Sequence, residues 1–367
     1  MNKSIFFRLD WLLLVVYFAL ISFGILNVYS ATFSETSRGM FDLTQAIGKQ
    51  FFFLIFSMFT GIIILSINSK FFEQFALLGY FISILLLVGL FVFGKTVSGA
   101  TSWYNIGGLS FQPSELAKVT TALIIASLMS KFQSDIKTPR TLLKIGAYVL
   151  LPFLLIVFQP DPGSALVFGA FFFPMFREGL NYSYLIIFLT VLSLFFITLS
   201  FPFGVVVAII TMIIFLLYFI FKKLNPKIKI WPFLIFLVIS IGFSFSVDYI
   251  FDNVFQQRHR DRINIVLGKE IDAQGVGYNI NQSKIAIGSG GLKGKGFLEG
   301  TQTKGDFVPA QHTDYIFSTI GEEWGFLGSF FLIFLFCILV FRIILQAEKQ
   351  VNKFRRIYSY GIAGLIF

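Results

Sequence analysis

The polar stretch from Asp252 to Gln311 holds the residue types that surface chemistry needs. Asp272 lies in Glu270-Ile-Asp-Ala-Gln-Gly-Val-Gly-Tyr278, followed by Gly275 and Gly277, which free the backbone. A carboxylate on such a loop could serve as a general base if it reaches the hydroxyl it deprotonates. Taken alone, Asp272 reads first as a turn aspartate. Downstream, Gln282-Ser-Lys-Ile-Ala-Ile-Gly-Ser-Gly-Gly-Leu-Lys-Gly-Lys-Gly296 sets Lys284, Lys293 and Lys295 among glycines. Backbone N–H groups and cations together hold phosphate, and a cluster of turns explains the same residues equally well. A nucleotide P-loop does not, because Ser289 stands where its first glycine belongs and Gly296 where it needs Ser or Thr.

A second group opens an apolar run. In Gln112-Pro-Ser-Glu-Leu-Ala-Lys118, Glu115 and Lys118 share one helical face at i, i+3. Pro113 and Ser114 suit a helix start, with Ser114 as a cap. Ionisable groups at membrane depth are costly and functional by default; the bland reading is a capping carboxylate paired with an interfacial lysine. Asp161, in Gln159-Pro-Asp-Pro-Gly163, reads as an Asx-type turn residue. Glu322 and Glu323 fall about three turns into a hydrophobic span, where neighbours point about 100° apart, so one of them faces the bundle interior.

A membrane bundle must position these groups. The chain of 367 residues is 56% hydrophobic and 13% charged, with mean hydropathy +0.81, against about 25% charged in a soluble domain. Apolar runs of about 20 residues recur, and in lipid each must be helical to satisfy its own backbone. The pattern predicts an all-α polytopic fold with spans at 11–29, 47–67, 72–93, 113–131, 143–158, 163–178, 183–200, 204–222, 231–248 and 313–342. An eleventh begins near Tyr358 and stops at Phe367, and a long loop occupies about 249–312. The run after Lys3 and Arg8 is too long for a cleaved leader and reads as a retained helix. The single cysteine, Cys337, excludes an intrachain disulfide and reads as a small buried hydrophobe.

Cations orient the bundle. Lys3 and Arg8, Lys131 to Lys144, Lys222 to Lys229, and Arg342 to Arg356 fall on one side, which is the cytoplasmic one. The N-terminus is then cytoplasmic, and the long loop and the 94–112 loop are extracytoplasmic. The net charge of +10 is this topology signal rather than a nucleic-acid surface.

Several motifs in series resemble the SEDS family (shape, elongation, division and sporulation), and its rod-shape branch rather than its division branch. They are Trp103 with Phe111-Gln-Pro-Ser-Glu-Leu-Ala-Lys118, Gln159-Pro-Asp161 with Gly163, Arg258 to Ile263, Asp272 to Tyr278, and Gln282 to Gly296. Gly300-Thr-Gln302, His312-Thr-Asp-Tyr-Ile-Phe317 and Glu322-Glu-Trp-Gly325 complete the series, which runs in family order from about residue 95 to 330. The resemblance implies a peptidoglycan glycosyltransferase of the inner membrane that polymerises lipid II at its outer face. The 4-hydroxyl of an acceptor sugar would displace undecaprenyl pyrophosphate from an anomeric carbon. Such a reaction needs a base, and positive charge near the leaving group. The resemblance marks Asp272 as the essential carboxylate and Glu115 with Lys118 as a functional pair. Gln112, Ser114, Arg258, Arg262, Lys284, Lys293, Lys295, Gln302, His312, Asp314 and Glu322 complete the expected substrate-contacting set.

It also implies a class B penicillin-binding transpeptidase and other elongation-complex membrane proteins as partners. The sequence fixes no cofactor and leaves open a divalent cation such as Mg²⁺ at the pyrophosphate, which carboxylates here would hold only weakly. The chain departs from the family in Pro162 and Ser164, in an additional helical hairpin at about 183–222, and in stopping at Phe367, inside a span. The whole, 1–367, is expected to form a single transmembrane domain. A lipid II flippase or a scaffold for a transpeptidase are the competing functions.

Overall fold

The computed structural model describes residues 9–33, 45–97, 99–107, 109–131, 136–255, 257–269 and 276–367. Helices α1 (Trp11–Thr32), α2 (Ala46–Ser66) and α3 (Ser69–Phe93) lead into strands β1 (Lys95–Val97), β2 (Ala100–Ile106) and β3 (Leu109–Phe111). Next come α4 (Pro113–Ser130), α5 (Pro139–Phe158), α6 (Pro162–Leu166), a 3-10 turn (Val167–Phe171) and α7 (Phe172–Arg177). Then follow α8 (Tyr182–Ser200), α9 (Phe203–Leu224), α10 (Trp231–Asn253), α11 (Gln257–Val266) and α12 (Val276–Ser289). The chain closes with α13 (Thr301–Lys304), α14 (Ile316–Glu348) and α15 (Lys353–Ile366).

Among the described residues, eight helices are long and apolar enough to cross a membrane: α1, α2, α3, α5, α8, α9, α10 and α14. The span expected at 113–131 is α4, which carries Glu115 and Lys118 and is buried along most of its length. The span expected at 163–178 is broken into α6, the 3-10 turn and α7. Gly163, Gly169 and Pro174 there weaken a continuous helix.

The helical fold expected from the sequence is found, and its loop at 95–111 is corrected to an antiparallel sheet of β1, β2 and β3 in that order. Trp103 pairs with Lys95, Tyr104 with Phe111 and Asn105 with Ser110. Thr, Trp, Tyr and Ile in β2 fit a pleated surface, and Gly99 and Gly107 turn the chain at φ 78° and 58°. The Tyr104 hydroxyl donates to the carbonyl of Leu86 at 2.8 Å, fastening the sheet to α3. Cys337 is also corrected: it lies exposed on the outward face of α14, not in the core.

The chain divides into two compact units, Met1–Asn181 with Ala286–Phe367, and Tyr182–Ile285. In the first, α4 is central. Its Ala117, Ala122, Ile125, Ala126 and Met129 pack with Leu87 and Leu90 of α3, Ile145 and Ile156 of α5, Phe168, Phe171, and Phe354 and Ile357 of α15. Small residues on α4 let the neighbouring helices approach closely. α1 lies along α14 through Val16, Leu335 and Leu339. Asp10 caps α1 by accepting from the Leu13 amide at 3.2 Å, and also accepts from Arg342 at 2.7 Å and from Gln346. In the second unit, Val206, Ile210 and Ile214 of α9 pack against Leu194 and Ile197 of α8 and Phe233 and Leu237 of α10. Here α8 and α9 are the two helices that cover 183–222.

Candidate functional site

Glu322 organises one end of the first unit. Its side chain is completely buried, and its carboxylate accepts from Lys295 Nζ at 2.7 Å. It also accepts from the amides of Gln302 and Thr303 at 2.8 and 2.9 Å, and from the Thr303 hydroxyl at 2.7 Å. The carboxylate thus sits at the amino end of α13, where orphan N–H groups favour negative charge. Lys295 donates a second time, to Thr301 Oγ1 at 2.7 Å. Two residues expected to touch substrate, Lys295 and Glu322, therefore satisfy each other, and Gln302 supplies its backbone to the same centre.

The glycine-rich stretch is a backbone seam. Gly325 stands at φ 65°, ψ −161° and breaks α14. The groups freed by that break are answered by the 290–296 segment: Lys295 and Gly296 donate to the carbonyls of Glu322 and Glu323, both at 3.0 Å. Phe326 and Leu327 donate to Gly291 and Leu292 at 2.9 and 3.1 Å. A Cβ at Gly290 would collide with the Gly321 carbonyl, and one at Gly294 with that of Glu323. Sequence reading missed this partnership. Its signal was there, in a second set of glycines at 321, 325 and 328 beside the first.

Glu323, also buried, accepts from the hydroxyl of Ser30 on α1. The indole N–H of Trp324 has no partner among the described residues. The Trp324 ring meets Phe23 edge-on at 5.3 Å. Both adjacent carboxylates are buried, where the sequence placed one of them toward the bundle interior.

At α4 two distant motifs meet. Gln112 Nε2 donates to Asp161 Oδ2 at 3.3 Å, and Asp161 caps α6 by accepting from the Ser164 amide at 3.2 Å and its hydroxyl at 2.8 Å. Lys118 Nζ reaches Glu115 Oε1 at 2.7 Å; the glutamate is 59% exposed and the lysine 16%. The pair thus points from a buried helix toward an open surface. Ser114 does not cap α4. Gln112 is the cap residue, and the Ser114 hydroxyl is buried without a partner among the described residues.

Lys284 on α12 and Lys293 are exposed, as are His312 and Asp314 before α14. His312 lines a cavity of about 670 Å³ with Thr303, Lys304, Asp306 and Gln311. Arg258 and Arg262 fall on α11, but their side chains, and Asp272 entirely, lie outside the described residues. No cluster of three or more His, Cys, Asp or Glu suited to a metal occurs among the described residues.

Comparison with known proteins agrees with this architecture. In Escherichia coli, peptidoglycan glycosyltransferase MrdB is 31% identical over 373 residues, covering 100% of this chain and 84% of that protein. Treponema pallidum peptidoglycan glycosyltransferase RodA is 29% identical over 380 residues, covering 97% and 86%. The crystal structure of Thermus thermophilus rod shape determining protein RodA matches with TM-score 0.57 at 21% identity over 97% of this chain and 81% of that one. A chain from a peptidoglycan synthase complex coordinating polymerization and crosslinking matches with TM-score 0.65 at 23% identity, covering 97% and 83%. The profile of the cell cycle protein family FtsW/RodA/SpoVE matches residues 10–208 and 186–367, and the chain is a member of that family.

Proposed function

We propose that this multi-pass membrane protein is a peptidoglycan glycosyltransferase, polymerising lipid II into glycan strands for the cell wall. The observation that carries the reading is relatedness along the whole chain to a peptidoglycan glycosyltransferase, at 31% identity. The chemistry is displacement at an anomeric carbon, with a sugar hydroxyl attacking and a lipid pyrophosphate leaving. Asp272 takes the role of base. Lys118, held by Glu115 at 2.7 Å, takes that of a cation for the pyrophosphate or sugar, where a fixed charge stabilises what develops in the transition state. Arg258, Arg262, Lys284 and Lys293 are further cations for phosphate. Lys295 and Glu322 instead hold the loop that bears this chemistry. The lysine and arginine clusters support a cytoplasmic N-terminus and an outer 249–312 loop. A class B transpeptidase is the crosslinking partner, in keeping with the complex to which a structural neighbour belongs.

The test is polymerisation of labelled lipid II by purified wild type, Asp272→Asn and Asp272→Ala, with the partner transpeptidase present. Long strands from wild type and none from either variant support the assignment. Near-normal strands from Asp272→Ala remove Asp272 from the reaction. A folded, partner-bound wild type that makes no strands points to a flippase or scaffold.

A further inference from the structure

At the amino end of α3, the carboxyl end of α4 and the amino end of α5, three helices enclose a cavity of about 520 Å³. α3 contributes Lys70, Glu73, Gln74 and Leu77, and α4 with its C-cap residue contributes Ile124, Ser127, Leu128 and Lys131. Both sets follow i, i+3, i+4, i+7, the spacing of a single helix face. Lys144 and Tyr148, one turn apart, come from α5. Composition grades with depth. Lys70, Lys131 and Lys144 are exposed at the helix ends, while Leu77 and Ile124 lie about two turns inward. The floor is apolar and rigid: Ala76, Tyr80 and Ile124 form a buried cluster with Leu128 and Tyr148 against it. The Tyr80 hydroxyl donates to the Tyr148 carbonyl at 3.0 Å. Glu73 faces the same cavity, but its carboxylate accepts from Ser130 at 2.9 Å. Among the described residues, no carboxylate pairs with Lys70 or Lys144.

We infer that this cavity binds the phosphate head group of an anionic glycerophospholipid. Lys70 and Lys144 against Glu73 leave the mouth net positive. Its place at the ends of membrane helices puts it at head-group level, where basic recesses between helices take acidic lipids. The inward gradient from lysine to leucine and isoleucine matches a ligand charged at one end and apolar at the other. A soluble phosphate would use the mouth and leave that apolar wall unused. On the orientation proposed above, the lipid comes from the cytoplasmic leaflet, away from the polymerising surface.

Native mass spectrometry of the full-length protein, titrated with phosphatidylglycerol and with phosphatidylcholine, tests this. The wild type should prefer phosphatidylglycerol, and the preference should fall as salt is raised. Lys70→Gln with Lys144→Gln should weaken phosphatidylglycerol about 30-fold, which is about 2 kcal/mol at 1.4 kcal/mol per tenfold, and leave phosphatidylcholine unchanged. Lys222→Gln with Lys223→Gln, an equal charge change in the other unit, should have no effect. The inference is overturned by a wild type without preference, or by the control pair losing as much as the test pair. Displacement of the lipid by inorganic phosphate at similar concentration would make this a soluble-anion site and overturn the lipid assignment.

Discussion

Lys295 and Glu322 lie 2.7 Å apart, the glutamate wholly buried and the lysine 27% exposed. Removing one partner of a buried charge pair costs about 3–5 kcal/mol, because the other is left uncompensated. Glu322→Ala should therefore lower the melting temperature markedly and open the 297–312 segment to protease. Glu322→Gln keeps one acceptor oxygen, enough for the Gln302 amide or the Thr303 amide but not both, and should be milder than Glu322→Ala. Lys295→Met combined with Glu322→Gln should cost less than the sum of the two, as expected for partners in direct contact. Additive losses would mean that the pair does not interact.

The seam between the glycine loop and the broken helix predicts a graded response to added methyl groups. Gly290→Ala and Gly294→Ala drive a Cβ into backbone carbonyls, and Gly294 also sits at φ 81°. Both should reduce folded yield in detergent sharply. Gly288→Ala meets nothing within 4 Å on a helical position and should be neutral, or stabilise by up to about 1 kcal/mol. Equal tolerance at all three would show that the loop does not dock as described.

Asp10 carries a pH dependence. Burial raises its carboxyl pKa, but hydrogen bonds from Arg342, the Leu13 amide and Gln346 outweigh that and hold it below its ordinary 3.8. A depressed folded value means that its stabilisation is fully present above 3.8 and is lost as pH falls through the lower folded value. The wild type should lose this increment on acidification, and Asp10→Asn should have less to lose. Asp10→Ala also removes the cap and should cost about 1 kcal/mol more than Asp10→Asn. Thermal melts of the three proteins from neutral pH to below 3.8 provide the check.

Lys118 and Glu115 separate activity from stability. With the ammonium removed, Lys118→Met should lower the polymerisation rate about 10²-fold, with little change in melting, since the pair is partly exposed and such pairs contribute about 0–1 kcal/mol. Glu115→Gln should have a smaller effect on rate. Unfolding of Lys118→Met would instead make the lysine structural.

Eight of the expected spans were legible because a helix in lipid needs only length and apolarity. α1, α3, α9 and α14 follow directly from their runs of Leu, Ile, Val and Phe. The three-stranded sheet was not, because each strand is short and its pairing depends on turns at Gly99 and Gly107 rather than on periodicity. In the site, Glu115 and Lys118 were legible from spacing along one helix. Gln112 with Asp161, Ser30 with Glu323, and Lys295 with Glu322 were not, being separated in sequence by 49, 293 and 27 positions. Only the packing of whole helices brings such pairs together. Gly290 and Gly294 read as part of a turn cluster or anion site, whereas their role, with Gly321 and Gly325, is the absence of a side chain at a close crossing.

The break at Gly325 resets the depth of the bilayer crossing. The segment from Phe326 to Glu348, about 23 residues, is roughly 34 Å long at 1.5 Å per residue, enough on its own for a hydrocarbon layer of about 30 Å. The turns before it, with Glu322 and Glu323, need not enter hydrocarbon at all. Each carboxylate is thereby spared an insertion penalty of about 3 kcal/mol. A kink that looks like a defect in the longest helix is what allows two acidic residues to reside within it.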